Sequence, residues 1–495
     1  MVHYIRNTLL VLFLGTACVP SCAQIQVGAT IIASEDNFAY GQNVQLSENG
    51  KRLVVSGYGI SDQGVALFDN INGDWVEQSF MVPSDFTDSH TIYSVAMSPD
   101  GTKIAVGSVE NNIIENTGIV KVFHFENNMW SQKGDAIYSE FEGELFGRSI
   151  GISNDGNRVI IGARLNSESA DFGGRVTVYQ YSNAAWSILG PSINGYKNGL
   201  KIGGNVAISG DGNYTFMGSN SNYSSYSLSE INIGFVNTRR WANNNWESTD
   251  TRNGKKYDHF GYSVAISNDG KIFASGTTQF GYREGYVSVY RNTNGLLENI
   301  NTIVGGAQEY LGNAIALSAD GNKIAVSAIL SGTSLYRGGV TIYEYNGNAY
   351  FPIGDIIDPN DNPKFGTSVA MSSDGSTVAV GTLDYEYDIP GTETGFVRIY
   401  DISGLESPDP YEPPPSNVEF KDITIYPSPA INELHCINCD GVSEWHVVDV
   451  TGKKVLSLQG KISNSIDVSM LQTGIYYVYY IKGDEDFKVK KFSKK

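Results

Sequence analysis

Apolar and polar positions alternate with a period of two in short bursts along most of this chain, and no long stretch repeats at the 3.6-residue period of an amphipathic helix. SVAIS (263–267), VAVG (378–381) and GGRVTVYQY (173–181) each read as a short strand. Polar and glycine-bearing segments separate them. The pattern predicts an all-β protein of many brief strands.

The bursts recur in register. Phe146 to Gly162 reads FGRSIGISNDGNRVIIG, Phe260 to Gly276 reads FGYSVAISNDGKIFASG, and Phe365 to Gly381 reads FGTSVAMSSDGSTVAVG. Weaker copies begin at Tyr93, Gly204 and Leu311, and a degraded first copy begins at Tyr40. The turn residues Asn49, Asp100, Asp155, Asp211, Asp269, Asp320 and Asp374 lie 51, 55, 56, 58, 51 and 54 apart. Within each unit a strand, an Asp-Gly turn and a second strand are followed by a variable loop. A third strand such as GYVSVYRN (285–292) and a fourth such as AWSILGPSI (185–193) complete it. Asp-Gly is read here as the pair that accepts the positive φ of a tight hairpin. Four strands repeated seven times describe a seven-bladed β-propeller.

A linear solenoid is the alternative, and the two ends argue against it. IQVGATIIASEDNFAYG (25–41) aligns with a fourth strand leading into a next blade, whereas the last repeat stops at its third strand after Tyr400. The N-terminal strand can therefore complete the seventh blade and remove the open edges.

The units FGxSVAxSxDG, AVG and GxVxVY resemble FG-GAP propeller repeats, over about three quarters of the chain. They are also similar to the repeats of TolB-type propellers. Both resemblances imply a propeller and neither names a ligand. Calcium-binding FG-GAP repeats carry an extended Asp-x-Asp-x-Asp-Gly loop, but each turn here offers one Asp before Gly, so these aspartates read as turn formers. No cofactor or metal is expected.

Composition narrows the class. The chain has 495 residues, 55 Gly and 30 Tyr, and a formal net charge of −19. From Glu419 onward ten acids meet ten bases, so the earlier part carries the excess. An acidic body argues against nucleic acid and anionic membranes. Arg6, the apolar Leu9–Leu14 and Ser21-Cys22-Ala23 read as a signal peptide over 1–23. Lipidation at Cys18 or Cys22 fits less well, because Pro20 sits awkwardly before Ser21. No later segment has the roughly 20 apolar residues of a membrane span. Cys436 and Cys439 could form a disulfide only across a turn, since an extended strand holds them about 10 Å apart.

The propeller is assigned to 24–404 and an acidic, Pro-rich linker to 405–417. In extended form that linker reaches about 40 Å. Residues 418–495 alternate like a small immunoglobulin-like β-sandwich. Tyr426, Pro427, Pro429, Leu434, Asp449, Gly452, Lys453, Leu471, Gly474, Ile475, Tyr476, Lys491, Phe492, Lys494 and Lys495 carry a resemblance to the C-terminal sorting domain of type IX secretion cargo. Ser428 stands where the family usually has Asn. The resemblance implies export from a Bacteroidota cell, with the type IX machinery as partner and a secreted or surface-attached product.

Catalytic signals are weak. Gly147-Arg148-Ser149-Ile150-Gly151 matches the nucleophile-elbow pattern, but Ser149 lies within a strand and Ser94, Ser263 and Ser368 fill the same repeat position. Trp75, Trp130, Trp186 and Trp246 open successive fourth strands and read as inter-blade packing. The loops after the second strands differ from blade to blade and, with the loops after the fourth strands, open on the face opposite the Asp-Gly turns. They hold Tyr223, Tyr226, Tyr282, Tyr336, Tyr385, Tyr387 and Asp388. Tyrosine supplies stiff amphipathic contact area at low entropy cost. The expectation is a non-enzymatic adhesion propeller that engages glycan or protein there. A secreted polysaccharide hydrolase using Asp384, Asp388 and Glu393, or a structural surface-layer component, is the alternative.

Overall fold

The computed structural model describes residues 25–32, 38–59, 64–78, 90–110, 118–219, 233–255, 257–278, 284–293, 295–305, 309–329, 338–357, 362, 364–384, 394–405, 424–426, 430–437, 442–449, 454–459, 465–482 and 488–495. The signal peptide and the Pro-rich part of the linker lie outside them.

The repeats fold into seven antiparallel sheets, each of strands taken in chain order. In the third sheet Phe146–Ile152, Arg158–Ala163, Arg175–Ser182 and Ala185–Ile188 pair in succession, and Ile193–Asn194 continues the outer edge. The seventh is completed from the other end of the chain. Ile25–Gln26 and Ile31–Ile32 pair with Thr394–Asp401, Ile25 opposite Asp401 and Ile31 opposite Val397. The N-terminal strand thus closes the β-propeller as the alignment of its ends implied. Leu405 still packs in the last blade's core, beside Ile402 and Tyr400.

The inner strands read as unbroken apolar runs because each blade is sandwiched between two others. Val159 and Ile161 join the core shared with the second blade, while Ile160 between them joins the core shared with the fourth. Burying each such side chain contributes about 1.5–3 kcal/mol.

The glycines of the repeat are fitted to the same seams. A Cβ on Gly162 would stand 2.1 Å from the carbonyl oxygen of Gly203 in the next blade, and one on Gly107 would stand 2.1 Å from that of Gly147. The glycine ending a second strand thus meets the glycine opening the neighbouring blade. Ser94, Ser263 and Ser368 donate to the carbonyls of Gly147, Gly312 and Gly41, and the Val206 N–H donates to Ser149 Oγ. Their repeat position is used for joining blades. Trp75, Trp186 and Trp246 likewise donate their indole N–H to the carbonyls of Val27, Lys133 and Leu189, each on the preceding seam.

The Asp-Gly turns differ from the expectation in one respect. Only the glycine takes a positive φ, 68° at Gly101 and 63° at Gly156, while the aspartate does not. The aspartate is there for its carboxylate. Ser98 Oγ lies 2.5 Å from Asp100 Oδ1, the Thr102 N–H donates to that oxygen at 2.9 Å, and the Lys103 N–H donates to Ser98 Oγ. The same serine–aspartate contact recurs at Asp155, Asp211, Asp269, Asp320 and Asp374. Two-residue turns with both φ positive do occur, but between third and fourth strands, at Asn72-Gly73, Asn127-Asn128, Asn183-Ala184 and Asn243-Asn244.

These turns also bond to one another around the ring. Asn154, Gly210, Asn268, Ala319 and Ser373 donate N–H to the carbonyls of Gly210, Asn268, Ala319, Ser373 and Glu48, and Glu48 donates to Pro99. The bond from residue 99 to Asn154 is missing, because proline has no N–H.

The C-terminal residues form two small sheets. Thr424–Tyr426, Glu433–Ile437 and Ser465–Asp467 make one, and Val442–Asp449, Lys454–Gln459, Gly474–Lys482 and Lys488–Lys494 make the other. Ala430, Leu434 and Ile466 from the first side share a core with Trp445, Val447, Tyr476, Val478, Tyr480 and Phe492 from the second.

Candidate functional site

Tyr223, Tyr226, Tyr282, Tyr336, Tyr385, Tyr387, Asp388 and Glu393 lie outside the described residues, as does the side chain of Asp384. One loop after a second strand is described in full, 164–174 in the third blade, and two loops after fourth strands complete its surroundings, 139–145 and 195–204.

A buried carboxylate pins these loops together. Glu144 is 2% exposed; Ser139 Oγ lies 2.5 Å from its Oε1, and Asn166 Nδ2 donates to its Oε2 at 2.6 Å. Burial pushes the Glu144 carboxyl above the ordinary glutamate value, and the bonds from Ser139 and Asn166 only partly offset that. Asn166, itself buried, accepts the Glu168 N–H at its side chain and the Gly174 N–H at its carbonyl. Arg175 forms a second fastening. It donates to Glu140 at 2.9 Å and to Ser192 at 3.1 Å, and its guanidinium sits 5.2 Å from the Phe141 ring centre.

Upon this base the chain displays two aromatic rings. The hydrogen-bonded ladder of Arg175–Ser182 with Ile193–Asn194 runs on through Gly195 N–H to Gly174 carbonyl, and Phe172 and Tyr196 lie just beyond it on the two backbones it joins. Gly173 and Gly195 permit this approach, since a Cβ on Gly195 would stand 2.0 Å from the Gly173 carbonyl oxygen. Phe172 is 53% exposed and Tyr196 82% exposed. Phe172 also has φ of 49°, a left-handed conformation that is an outlier for a bulky side chain. Its neighbours hold it there: its N–H donates to Ser167 Oγ, its carbonyl accepts the Lys201 N–H, and the flanking Asp171 carbonyl accepts the Gly199 N–H. An exposed ring held in a strained backbone by so many bonds is the kind of outlier from which function is argued.

Charge around the pair is mixed. Glu168 and Asp171 are exposed beside it, and Lys201 is half-buried behind it, its pKa lowered by burial and by the like charge of Arg164. No group of three metal-ligating side chains converges among the described residues.

The sequence placed the loops after second and fourth strands on this face, but the candidates drawn from it were tyrosines and an aspartate of loops after second strands. Phe172 is not a tyrosine, and Tyr196 lies after a fourth strand. The signal was the pair of strings DFGG (171–174) and INGY (193–196), whose glycines let two backbones close.

In the C-terminal sheets, Tyr476 packs in the shared core and its hydroxyl donates to the Gln472 carbonyl, and Gly474 opens its strand. Lys491 and Lys494 lie on the last strand, Lys494 buried. Tyr426 and Asp449 lie on strands, their side chains undescribed, as is that of Cys436, while Pro427, Pro429, Gly452 and Cys439 fall outside the described residues.

Among known proteins, the secretion system C-terminal sorting domain family matches residues 424–495. No curated protein matches the chain by sequence. Similar solved structures include the β-propeller domain of Myceliophteria thermophila Cps50 (Swd1), at 10% identity over 77% of this chain and 99% of that one, TM-score 0.49. A putative 6-phosphogluconolactonase from Bacteroides uniformis aligns at 16% identity over 73% and 95%, TM-score 0.42. The Dos1 propeller aligns at 13% over 76% and 95%, TM-score 0.43. The seven-blade assignment stands on the chain's own strand pairing. Among the described residues no helix is long and apolar enough to cross a membrane. This is a β-propeller protein carrying a C-terminal type IX secretion sorting domain, and so a secreted or cell-surface protein of a Bacteroidota cell.

Proposed function

We propose that the chain is an FG-GAP-like adhesion propeller that binds glycan through the loop face, without catalysis, and is delivered there by an immunoglobulin-like sorting sandwich. The observation that carries this reading is that Phe172 and Tyr196 stand exposed on two loops whose backbones close at Gly173 and Gly195, the first loop fastened by Glu144, Asn166 and Arg175. Rings presented on a rigid support offer the flat apolar face that a sugar's C–H groups stack on, and little entropy is lost on binding. Glu168 and Asp171 at the rim supply acceptors for hydroxyl groups. Tyr223, Tyr226, Tyr282, Tyr336, Tyr385, Tyr387 and Asp388 extend the same face in this proposal.

The test is binding of the purified full chain to a broad glycan array, with wild type beside Phe172→Ala/Tyr196→Ala and Tyr385→Ala/Tyr387→Ala. A glycan signal that falls at least tenfold in the first variant supports the pair as the contact. A signal lost only in the second moves the contact to the seventh blade. No glycan signal from the wild type, with capture of a surface protein instead, overturns the glycan reading.

A further inference from the structure

The sorting domain's second sheet has one face too many buried. Along Gly474–Lys482, Tyr476, Val478 and Tyr480 point into the domain's own core. Side chains alternate across a strand, so Tyr477 points the other way. It is nevertheless only 2% exposed. Its cross-strand neighbours on that outer face are Val448, 6% exposed, and Lys491, whose side chain is 14% exposed. What covers this row is the propeller.

Two contacts define the joint. The Tyr477 hydroxyl lies 2.9 Å and 3.1 Å from the two carboxylate oxygens of Asp355, on the outermost strand of the sixth blade (Tyr350–Ile357). Thr341 on the adjacent strand donates to the same carboxylate. Lys491 Nζ lies 3.8 Å from Glu309 Oε1, in the segment between the fifth and sixth blades. Burial opposes the charge on Lys491, but Glu309 and Asp355 outweigh it and hold its pKa above the ordinary lysine value. Glu284 faces the same strand: burial raises its pKa, the charge of Lys490 lowers it, and Glu309 raises it again. The charges are complementary at larger scale too. Lys488–Lys494 carries four lysines in seven residues, and the propeller carries the chain's acidic excess.

We propose that the flank of the propeller formed by Asp355, Thr341, Glu309 and Glu284 is an intramolecular docking surface for the outer sheet face of the sorting domain. The two domains then form a coupled unit, unlike two bodies joined by a spacer. In the docked state the Tyr477–Lys491 face of the sorting sheet is closed, and any partner that reads it must first displace the propeller. This inference uses no residue of the loop face and stands apart from the glycan reading.

Hydrogen exchange in the full chain tests it, following 474–482 and 488–494 in wild type, Asp355→Ala, Glu309→Gln and Tyr477→Phe. Asp355→Ala lies outside the sorting domain, and Tyr477→Phe removes only a hydroxyl, so neither disturbs that domain's core. Exchange of these strands at least tenfold faster in Asp355→Ala, and faster by a smaller factor in Tyr477→Phe and Glu309→Gln, is the expected result. Because Asp355→Ala also frees Thr341, the propeller strands 323–328 are followed as a control and should not change. Unchanged exchange of the sorting strands in Asp355→Ala and in Tyr477→Phe would overturn the proposal. Loss of glycan binding in any of these variants is not expected, so the two readings fail separately.

Discussion

The two ends of the propeller are built on opposite plans. At the Asp-Gly end the chain repeats one solution, a buried serine, an aspartate that accepts from it and a glycine with positive φ. Neighbouring turns are bonded carbonyl to amide around the ring. At the loop end no two blades carry the same loop sequence. The described example spends a buried Glu, a buried Asn and a strained backbone on keeping two rings in water. One end repeats a single closing contact, and the other varies from blade to blade. Loop variation on a rigid scaffold is where binding usually resides.

Removing closure should have the largest effect. Deleting 24–32 takes away the strand paired with Thr394–Asp401, the buried Ile31 and the carbonyl that Trp75 bonds. A loss of about 5 kcal/mol is expected from one buried Ile and several hydrogen bonds. Chemical denaturation reads it, and an unchanged midpoint would show that the ring closes without this strand.

Next comes the seam. Gly162→Ala forces a methyl group against the Gly203 carbonyl, and overpacking of this kind costs about 3 kcal/mol. The same exchange at Gly143, where nothing lies within 4 Å, meets no clash, though its φ of 72° still strains an alanine by about 1 kcal/mol. Thermal melting of the two variants separates packing from backbone conformation.

The two ends also differ in the sign of their pH dependence. At Asp155 burial opposes ionisation, but the bonds from Ser153 and Asn157 outweigh it and lower the pKa; Asp211 follows the same pattern. A lowered folded pKa means stability present above the unfolded value of about 3.9 and lost as pH falls through the folded value. Glu144 has a raised folded pKa, so its contribution is present below the unfolded value of 4.5 and is lost as pH rises from there through the higher folded value. Asp155→Asn/Asp211→Asn should flatten the acid side of a stability–pH curve, and Glu144→Gln should flatten the decline just above pH 4.5. Equal effects of both variants on the same limb would break the contrast.

The smallest expected change is the most informative about display. Phe172→Gly relieves the left-handed strain and should raise stability by about 1 kcal/mol while removing one ring. A loss of stability instead would show that Phe172 serves packing.

The seven units, their four strands and the closing strand were legible in the sequence because each depends on local alternation and on turn residues at fixed offsets. So were the serines and tryptophans of the seams, as a repeated position, although not their partners. The aspartate of the Asp-Gly turn was legible as a turn residue and misread in mechanism, since a one-dimensional string does not show whether a residue is kept for its φ or for its carboxylate. Val159, Ile160 and Ile161 read as a buried strand, but only the packed ring assigns the middle one to a different seam.

What the sequence determined by itself was therefore the architecture and the sorting address, both written as short motifs whose physics is local. The tertiary structure alone decided which residues meet. Phe172 and Tyr196 are carried to one part of the loop face by two glycine-lined backbones that close on each other, and Tyr477 and Asp355 meet across 122 positions of chain. Such contacts depend on where the ring brings distant segments together, and no periodicity along the chain records that.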